Sequence, residues 1–313
     1  MADRIVIGLD GGGSTTRVAC AELDGRILSV AIGAGANPQH APHAADTVRA
    51  TVLEAIDRAG RRSADVAAFV AGLAGFNTVA DEGWAAEFIG IDGIPARAVN
   101  DSEVALAGAF LDGPGIVALS GTGSIILGRT AHGELLREDW YQYYAGAARH
   151  LAFGALQSIA LGEASEDDTA LVEAALEHWG ATDLPGLRAR LRDDRHRSHD
   201  EVKYHYARFA PVITAAAESA PVAARACDWL AAALARGVRL LACDLGVSPA
   251  PVALIGAVAR SAAIATRIPP LLVDCVVVEP ALDPVAGAVL LALGDAGVEP
   301  DADTVERLRE GTS

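Results

Sequence analysis

Two short turns rich in glycine and hydroxyl residues have the composition of phosphate-binding turns. The first is Gly11-Gly12-Gly13-Ser14-Thr15-Thr16 and the second is Gly121-Thr122-Gly123-Ser124. Glycine lets backbone N–H groups approach an anion, and the hydroxyls add hydrogen-bond donors. Either turn alone is equally compatible with a hairpin that binds no ligand. If the two turns lie at the same place in two related lobes, we expect them to face each other across a cleft and bind a nucleoside triphosphate from opposite sides.

Two common phosphate-binding patterns do not describe these turns. The Walker pattern G-x-x-x-x-G-K-[ST] occurs nowhere in the sequence. The dinucleotide-binding pattern G-x-G-x-x-G is incomplete, since Thr16 and Ile126 stand where its last glycine belongs. A P-loop and a dinucleotide site are therefore disfavoured.

Two aspartates stand beside predicted strand ends. Asp10 closes the first strand, where its carboxylate could hold Mg²⁺, an ion that prefers carboxylate, phosphate and water oxygens. Asp101 follows a short strand ending at Val99-Asn100 and precedes a helix. It could accept the proton of an attacking hydroxyl in phosphoryl transfer, or it could merely cap the helix.

The predicted strands and turns that would position these residues occur twice in the same order along the chain. The first part of the chain is predicted as βββαβαβα, with Asp24-Gly25 as a hairpin signal. The same opening recurs from Ile116, and His132-Gly133 stands where Asp24-Gly25 stood. We therefore predict a duplicated α/β protein with one lobe over 1–112 and a second, containing helical insertions, over 113–313.

A third glycine, Gly256, ends a late predicted strand and is followed by Ala257. A nucleoside could rest on this backbone, or the segment could be an ordinary strand-to-helix turn.

Composition excludes several classes of partner. The chain has 25 Lys and Arg against 41 Asp and Glu, a formal charge of -16, which argues against nucleic acid and against an anionic membrane surface. The four cysteines are scattered without metal-binding spacing. With no signal region or membrane span recognisable in the sequence, we expect a cytoplasmic protein.

The motifs together resemble the BadF/BadG/BcrA/BcrD ATPase family, especially its N-acetylglucosamine kinase branch. The resemblance rests on Leu9 to Thr16, Asn100-Asp101, Ser120 to Ser124, Leu254-Ile255-Gly256 and Asp283 to Ala288, in the right order over nearly the whole chain. It implies the actin-like ATPase fold, with two ribonuclease H-like lobes that close on ATP and Mg²⁺. It also implies that Asp10 binds the metal, that both turns bind the phosphates and that Gly256 and Ala257 contact the adenosine. Asp101 would be the catalytic base.

The resemblance further implies which residues contact a sugar-like acceptor, and the chain departs from the family there. The resemblance places Asn37 and Trp140 at the sugar, and Asn77, Asp101 and Thr122 are further candidate contacts. Tyr141 and Tyr144 are available where the chain departs from the family, or they could only pack the first inserted helix against its lobe. Asn37 could instead only begin a turn, and Trp140 could only pack. Kinases of the branch continue from this tryptophan into G-D-E-G-S-G, but Gly146 and Ala147 replace the acidic pair here. We therefore expect a changed acceptor, namely a modified sugar, a cyclitol or an acidic sugar. Separately, we expect a homodimer.

Two other functions remain open. An activator ATPase of the same family needs cysteines for an iron–sulfur cluster, and none lies near the second turn. A catalytically silent sugar or nucleotide sensor is motivated by the missing acidic pair, but Asp10, Asp101 and both turns are retained. The basic run Arg188 to His205 could be a flap over the site or a solvated surface.

Overall fold

The computed structural model describes residues 4–37, 43–76 and 88–312. In chain order the strands are β1 Ile5–Gly11, β2 Thr15–Glu22, β3 Ile27–Ala34, β4 Val66–Leu73, β5 Ala96–Asn100, β6 Gly115–Ser120, β7 Ser124–Arg129, β8 Leu135–Arg137, β9 Ala250–Ile255 and β10 Cys275–Val277. The helices are α1 Ala44–Arg58, α2 Asp101–Phe110, α3 Ala148–Leu161, α4 Thr169–His178, α5 Leu184–Asp193, α6 His199–Ala207, α7 Ala210–Ala216, α8 Pro221–Ala242, α9 Ala262–Ala265, α10 Pro284–Asp295 and α11 Ala302–Thr312.

The chain forms two compact units, which are described separately. Unit 1 combines Met1–Val117 with Glu279–Ser313, and unit 2 is Ala118–Val278. The division predicted from the sequence, 1–112 and 113–313, therefore differs at the C-terminus. Helices α10 and α11 belong to unit 1 because their apolar residues, among them Val289 and Leu308, pack in its core.

Both units contain a five-stranded sheet with the same order of strands. In unit 1 the order is β3-β2-β1-β4-β5, and in unit 2, taken from the matching edge, it is β8-β7-β6-β9-β10. In unit 1, β1 runs antiparallel to β2 and parallel to β4. The shared order matches the duplication predicted from the sequence.

Strand β1 is buried on both faces, as its apolar run predicts. Ile5, Ile7 and Leu9 belong to the core cluster that also contains residues of α1, whereas Val6 packs in the cluster that includes α10. Gly8 lets α10 lie directly on β1, since a Cβ there would clash with the backbone at Val289. This packing fixes the carboxyl end of β1, where Asp10 lies.

Unit 2 differs from unit 1 by the six helices α3–α8 that the structure describes between β8 and β9. The longest, α8, has 22 residues and buries one apolar face. Insertion of several helices here was predicted. Helix α11 was not predicted, and most of the predicted helix Val79–Ile89 lies outside the described residues. No helix in the described ranges is both long enough and apolar enough to cross a membrane.

Candidate active site

Asp10 and Asp101 lie at the carboxyl edge of neighbouring parallel strands in unit 1. Asp10 is opposite Gly72 of β4, and Gly72 is in turn opposite Val99 of β5. Asp101 begins α2 two residues beyond Val99. Ligands of open parallel sheets bind at this edge, so the topology brings together the two aspartates singled out in the sequence.

The environment of Asp10 disfavours its charge. Burial is the main cause that raises the pKa of its carboxyl to about 7, followed by the negative charges of Asp101 and Asp283. The guanidinium of Arg17 acts in the opposite direction. A cation bound beside Asp10 would favour the ionised carboxylate, because an opposite charge lowers the pKa of an acid.

Asn100, rather than Asp101, caps helix α2. The side-chain oxygen of Asn100 accepts hydrogen bonds from the backbone N–H of Ser102 at 2.9 Å and from the Ser102 hydroxyl at 2.5 Å. Glu103 completes the capping box by accepting from the backbone N–H of Asn100 at 3.0 Å. Asp101 is the first helical residue. The interpretation of Asp101 as an N-cap is therefore wrong.

An ion pair between Arg17 and Asp283, which was not predicted, lies near Asp10 in unit 1. Arg17 on β2 donates to Asp283 at 2.7 Å and to the backbone carbonyl of Thr312 at 3.0 Å. The other carboxylate oxygen of Asp283 accepts from the Ala286 N–H at 2.9 Å and so caps α10. Arg17 and Asp283 are 266 positions apart, so no local pattern could have revealed this pair.

The first glycine turn is closed by its own backbone and by the chain that follows β3. Gly12 N–H donates to the Thr15 carbonyl at 3.0 Å, and Ala36 N–H donates to the Gly12 carbonyl at 3.1 Å. Ser14 and Thr15 are exposed. Asn37 is buried and directly follows the residue that contacts the turn.

Thr16 was predicted to add a hydroxyl to the phosphate-binding turn, but the structure uses this hydroxyl elsewhere. Thr16 is fully buried on β2, and its hydroxyl donates to the Ala34 carbonyl of β3 at 2.7 Å. Side chains alternate between the two faces of a strand, so the exposure of Thr15 places Thr16 on the buried face. Its hydroxyl therefore holds β2 to β3.

The second turn joins β6 to β7 and leaves room for a ligand. Gly121 N–H donates to the Gly123 carbonyl at 2.8 Å, and a Cβ at either glycine would meet open space within 4 Å. The hydroxyl oxygen of Ser124 is buried and has no hydrogen-bond partner in the described part of unit 2. Buried polar groups are normally paired, so this orphaned hydroxyl fits a turn that binds a phosphate oxygen.

Gly256 lies directly against the second turn. Its φ of 89° is in the left-handed region, and a Cβ would come within 2.6 Å of the Ser120 carbonyl oxygen. The same carbonyl accepts hydrogen bonds from the N–H groups of Val258 and Ala259, both at 3.1 Å. Ala257 is exposed. Only glycine satisfies both the backbone angle and this close approach.

The aromatic residues predicted to contact the acceptor lie in different environments. Trp140 is 60% exposed and Tyr144 is 50% exposed. The Tyr141 hydroxyl donates to Asp244 at 2.6 Å, a bond that is the main cause raising its pKa to about 12. The nearby Tyr143 hydroxyl donates to the Ala233 carbonyl of α8 at 2.8 Å, so Tyr143 packs the segment against that helix.

Two further predicted features are Asn77 and the basic run Arg188 to His205. Asn77 lies outside the described residues. The basic run Arg188 to His205 forms parts of α5 and α6, and most of its side chains are exposed. Its buried acid Asp194 pairs with Arg197 at 3.1 Å and accepts from the Tyr206 hydroxyl at 2.8 Å.

The residues around Asp10 fit Mg²⁺ only if other ligands complete its shell. No group of three acidic, histidine or cysteine side chains within residues 4–37, 43–76 and 88–312 is placed to hold a metal ion. Mg²⁺ commonly keeps several waters and uses one or two carboxylates with substrate phosphates. Asp10, which directly precedes the first glycine turn, is compatible with that type of site.

The two sheets with matching strand order, each with a glycine-containing turn after its first strand, define a duplicated α/β fold of the actin-like ATPase class. The chain belongs to the BadF/BadG/BcrA/BcrD ATPase family, whose model matches residues 7–292. This confirms the resemblance and the fold class drawn from the sequence.

Individual relatives agree with this assignment. An N-acetylmuramic acid/N-acetylglucosamine kinase from Clostridium acetobutylicum is 29% identical over 147 residues, which are 46% of this chain and 48% of that protein. The match thus spans about half the length of this curated relative. The crystal structure of a candidate N-acetylglucosamine kinase from Chromobacterium violaceum is 27% identical with a TM-score of 0.71, covering 93% of this chain and 99% of its own.

A more distant structure supports the fold alone. A ROK family glucokinase from Streptomyces griseus, solved with glucose and AMPPNP, has a TM-score of 0.57 and 20% identity over 92% of this chain and 98% of its own.

Proposed function

We propose that the chain is an ATP-dependent kinase that transfers phosphate to a hydroxyl of a small sugar or sugar-like acceptor. The observation that most supports this is the pair Asp10 and Asp101 at one sheet edge, with capping of α2 performed by Asn100. The similarity to the Clostridium acetobutylicum and Chromobacterium violaceum proteins favours a sugar kinase within the family.

In this proposal the carboxylates have separate roles. Asp101 accepts the proton of the acceptor hydroxyl as its oxygen attacks the γ-phosphate. Asp10 holds Mg²⁺ together with phosphate and water oxygens, and Arg17 and Asp283 orient the elements around it. When bound, Mg²⁺ supplies positive charge that offsets the charge of the phosphates.

Phosphate binding is assigned to the glycine turns. The turns Gly11 to Gly13 and Gly121 to Gly123 bind phosphate oxygens through backbone N–H groups other than those of Gly12 and Gly121, which donate to carbonyls within the turns. Ser14, Thr15, Thr122 and Ser124 add hydroxyls. Gly256 and Ala257 present flat backbone to the adenosine. Asn37, Asn77, Trp140, Tyr141 and Tyr144 remain candidates for acceptor contacts, although the Tyr141 hydroxyl is already engaged by Asp244.

A coupled assay of ADP release over amino sugars, deoxysugars, cyclitols and uronic acids tests the activity. We expect acceptor-dependent ADP release, and Asp101→Asn to lower kcat by about 10² to 10⁴, the usual range for a general base. Asp112→Asn is a matched control because Asp112 is an exposed aspartate just beyond α2. ATP binding without turnover for any acceptor would favour the sensor. Unchanged kcat in Asp101→Asn would remove the base assignment.

The expected cytoplasmic location and homodimeric state are also proposals. Cell fractionation and light scattering of the purified protein test them directly.

A further inference from the structure

Glu138 of unit 2 is a buried acid that the proposed function does not use. Its side chain belongs to a residue that is only 2% exposed and directly follows β8. Burial is the main cause raising its pKa to about 7, so the carboxyl is largely ionised at pH 8. A buried carboxylate is unfavourable unless hydrogen bonds satisfy it. The partners of this carboxylate therefore indicate its role.

The first partner lies on the strand that leaves the second glycine turn. Strand β7 begins at Ser124 and pairs with β8, with Leu127 opposite Arg137. Continued by one residue, this antiparallel register places Glu138 opposite Ile126. The backbone of Ile126 donates a hydrogen bond to the Glu138 side chain. The carboxylate therefore holds β7 two residues beyond Ser124.

The second partner lies in the segment that contacts the start of the same turn. Oε2 of Glu138 accepts from the backbone N–H of Ala145 at 3.2 Å. Three residues further along, Ala148 donates its N–H to the Gly121 carbonyl at 3.0 Å. One carboxylate thus joins the strand after the turn to the segment that holds the first glycine of the turn. All of these contacts lie within unit 2.

Helix α8 packs over the carboxylate and limits its movement. A Cβ at Gly237 of α8 would come within 3.3 Å of Oε2 of Glu138 and would also clash with the side chain of Ile126. Tyr143 donates its N–H to the Glu138 carbonyl at 3.3 Å and its hydroxyl to the Ala233 carbonyl of α8 at 2.8 Å. Glu138 is therefore fixed through both its backbone and its side chain.

We propose that Glu138 is a positioning residue that fixes the shape of the second glycine turn for the phosphates of ATP. The inference rests on the phosphate-binding role proposed above for this turn. A carboxylate offers two acceptor oxygens to the two N–H groups, whereas an amide offers one oxygen and a donor in place of the other. A turn that is fixed before the ligand arrives binds it with a smaller loss of conformational entropy.

Glu138→Gln tests the inference because stability and ATP binding should change in opposite directions. At pH 8 the variant should be more stable than the wild type, since it buries no charge. Its Kd for ATP in the presence of Mg²⁺ should nevertheless rise about fivefold to tenfold, the loss expected for one hydrogen bond. Calorimetry measures the Kd, and urea denaturation measures the stability.

Steady-state kinetics adds a readout that separates positioning from catalysis. KM for ATP should rise in Glu138→Gln, while kcat at saturating ATP stays within about twofold of the wild type. The reason is that Asp10 and Asp101, the proposed catalytic carboxylates, belong to unit 1 and are unchanged.

Two variants serve as matched controls. Glu134→Gln removes an exposed carboxylate just before β8 and should equal the wild type in stability and in Kd. Tyr143→Phe removes the hydrogen bond to Ala233 and leaves the carboxylate in place. It should lower the stability and keep the wild-type Kd.

The outcomes separate this inference from the kinase proposal. An unchanged Kd in Glu138→Gln, or a Kd that rises equally in Tyr143→Phe, overturns the positioning role and leaves the kinase standing. Failure of Glu138→Gln to fold, or a loss of stability at pH 8 that parallels its loss of affinity, also overturns the positioning role. An absence of ADP release with every acceptor, while the Kd for ATP still depends on Glu138, overturns the kinase and leaves the positioning role standing.

Discussion

The two glycine turns occupy the same place in two sheets of identical strand order, yet they have different surroundings. In unit 1, burial and next the negative charges of Asp101 and Asp283 raise the pKa of Asp10, which directly precedes the turn. In unit 2, the turn contacts Gly256 and the start of α3, which has no acidic residue in its first turn.

This difference indicates how a duplicated frame becomes asymmetric. The strands and turns provide backbone N–H groups in both units, while the residues added around them determine the chemistry. We attribute metal binding and proton transfer to unit 1. We attribute nucleoside recognition to unit 2, where Gly256 lies against the second turn.

The largest predicted effect concerns the carboxylate that only the first turn has. Asp10→Asn should lower kcat/KM for ATP by about 10³ because it removes the proposed metal ligand and its charge. Withdrawal of Mg²⁺ with EDTA should abolish wild-type turnover, and added Mg²⁺ should restore it. Steady-state kinetics over a Mg²⁺ series measures both effects.

Asp112→Asn is again the matched control, with kinetics expected to equal those of the wild type. Full activity of Asp10→Asn, or activity that is indifferent to EDTA, would contradict the assignment of metal chemistry to unit 1.

A second prediction tests the close approach of Gly256 to the Ser120 carbonyl beside the second turn. Gly256→Ala should lower the free energy of unfolding by about 2 to 4 kcal/mol. The alanine would be strained by the left-handed backbone at this position, and its Cβ would clash with Ser120. It should also weaken ATP binding by about tenfold, since the shift reaches Gly121. Urea denaturation and calorimetry measure the two effects.

Gly246→Ala separates these causes. Gly246 has a similar φ of 82°, but the nearest atom to a Cβ there is 3.6 Å away. This variant should lose only about 1 to 2 kcal/mol and keep its ATP affinity. Equal effects of both substitutions would show that the close approach at Ser120 is unimportant.

The third prediction concerns the buried acid Glu138 of unit 2. Burial is the main cause raising the pKa of Glu138 from 4.5 to about 7, and its carboxylate accepts from the Ala145 N–H at 3.2 Å. Since the folded state holds the proton more tightly, the stabilising effect is complete below pH 4.5. It is lost as the pH rises through about 7.

Glu138→Gln should remove this dependence because the amide keeps an acceptor and cannot ionise. At about 1.4 kcal/mol for each pH unit, the variant should be more stable than the wild type at pH 8 by on the order of 3 kcal/mol. Its advantage should shrink toward pH 5. Urea denaturation at several pH values measures this, and parallel pH profiles of the two proteins would refute the assignment.

Local features of the fold were predictable from the sequence. Apolar strands, Asp-Gly and His-Gly turns and the recurrence from Ile116 predict the repeated opening, because each depends on neighbouring residues. The confirmed family resemblance adds the architecture. The addition of α10 and α11 to unit 1 was not predictable, since it depends on packing between residues almost 300 positions apart.

The candidate site was predictable only in part. The positions of Asp10 and Asp101 follow from strand ends, whereas the Arg17–Asp283 pair joins opposite ends of the chain. The burial of Thr16 depends on strand register, and the contact of Ala148 with Gly121 depends on packing of α3 against the second turn. Such contacts have no local signature in the sequence.

Phosphorus NMR of the complete reaction tests the central claim most directly. With Mg²⁺, ATP and an acceptor from the panel, we predict one phosphate monoester of the acceptor for each ADP formed, and formation of both products at least about 10²-fold slower with Asp101→Asn. Accumulation of inorganic phosphate with ADP at a rate independent of any acceptor would contradict the kinase assignment and favour an ATPase of the activator type.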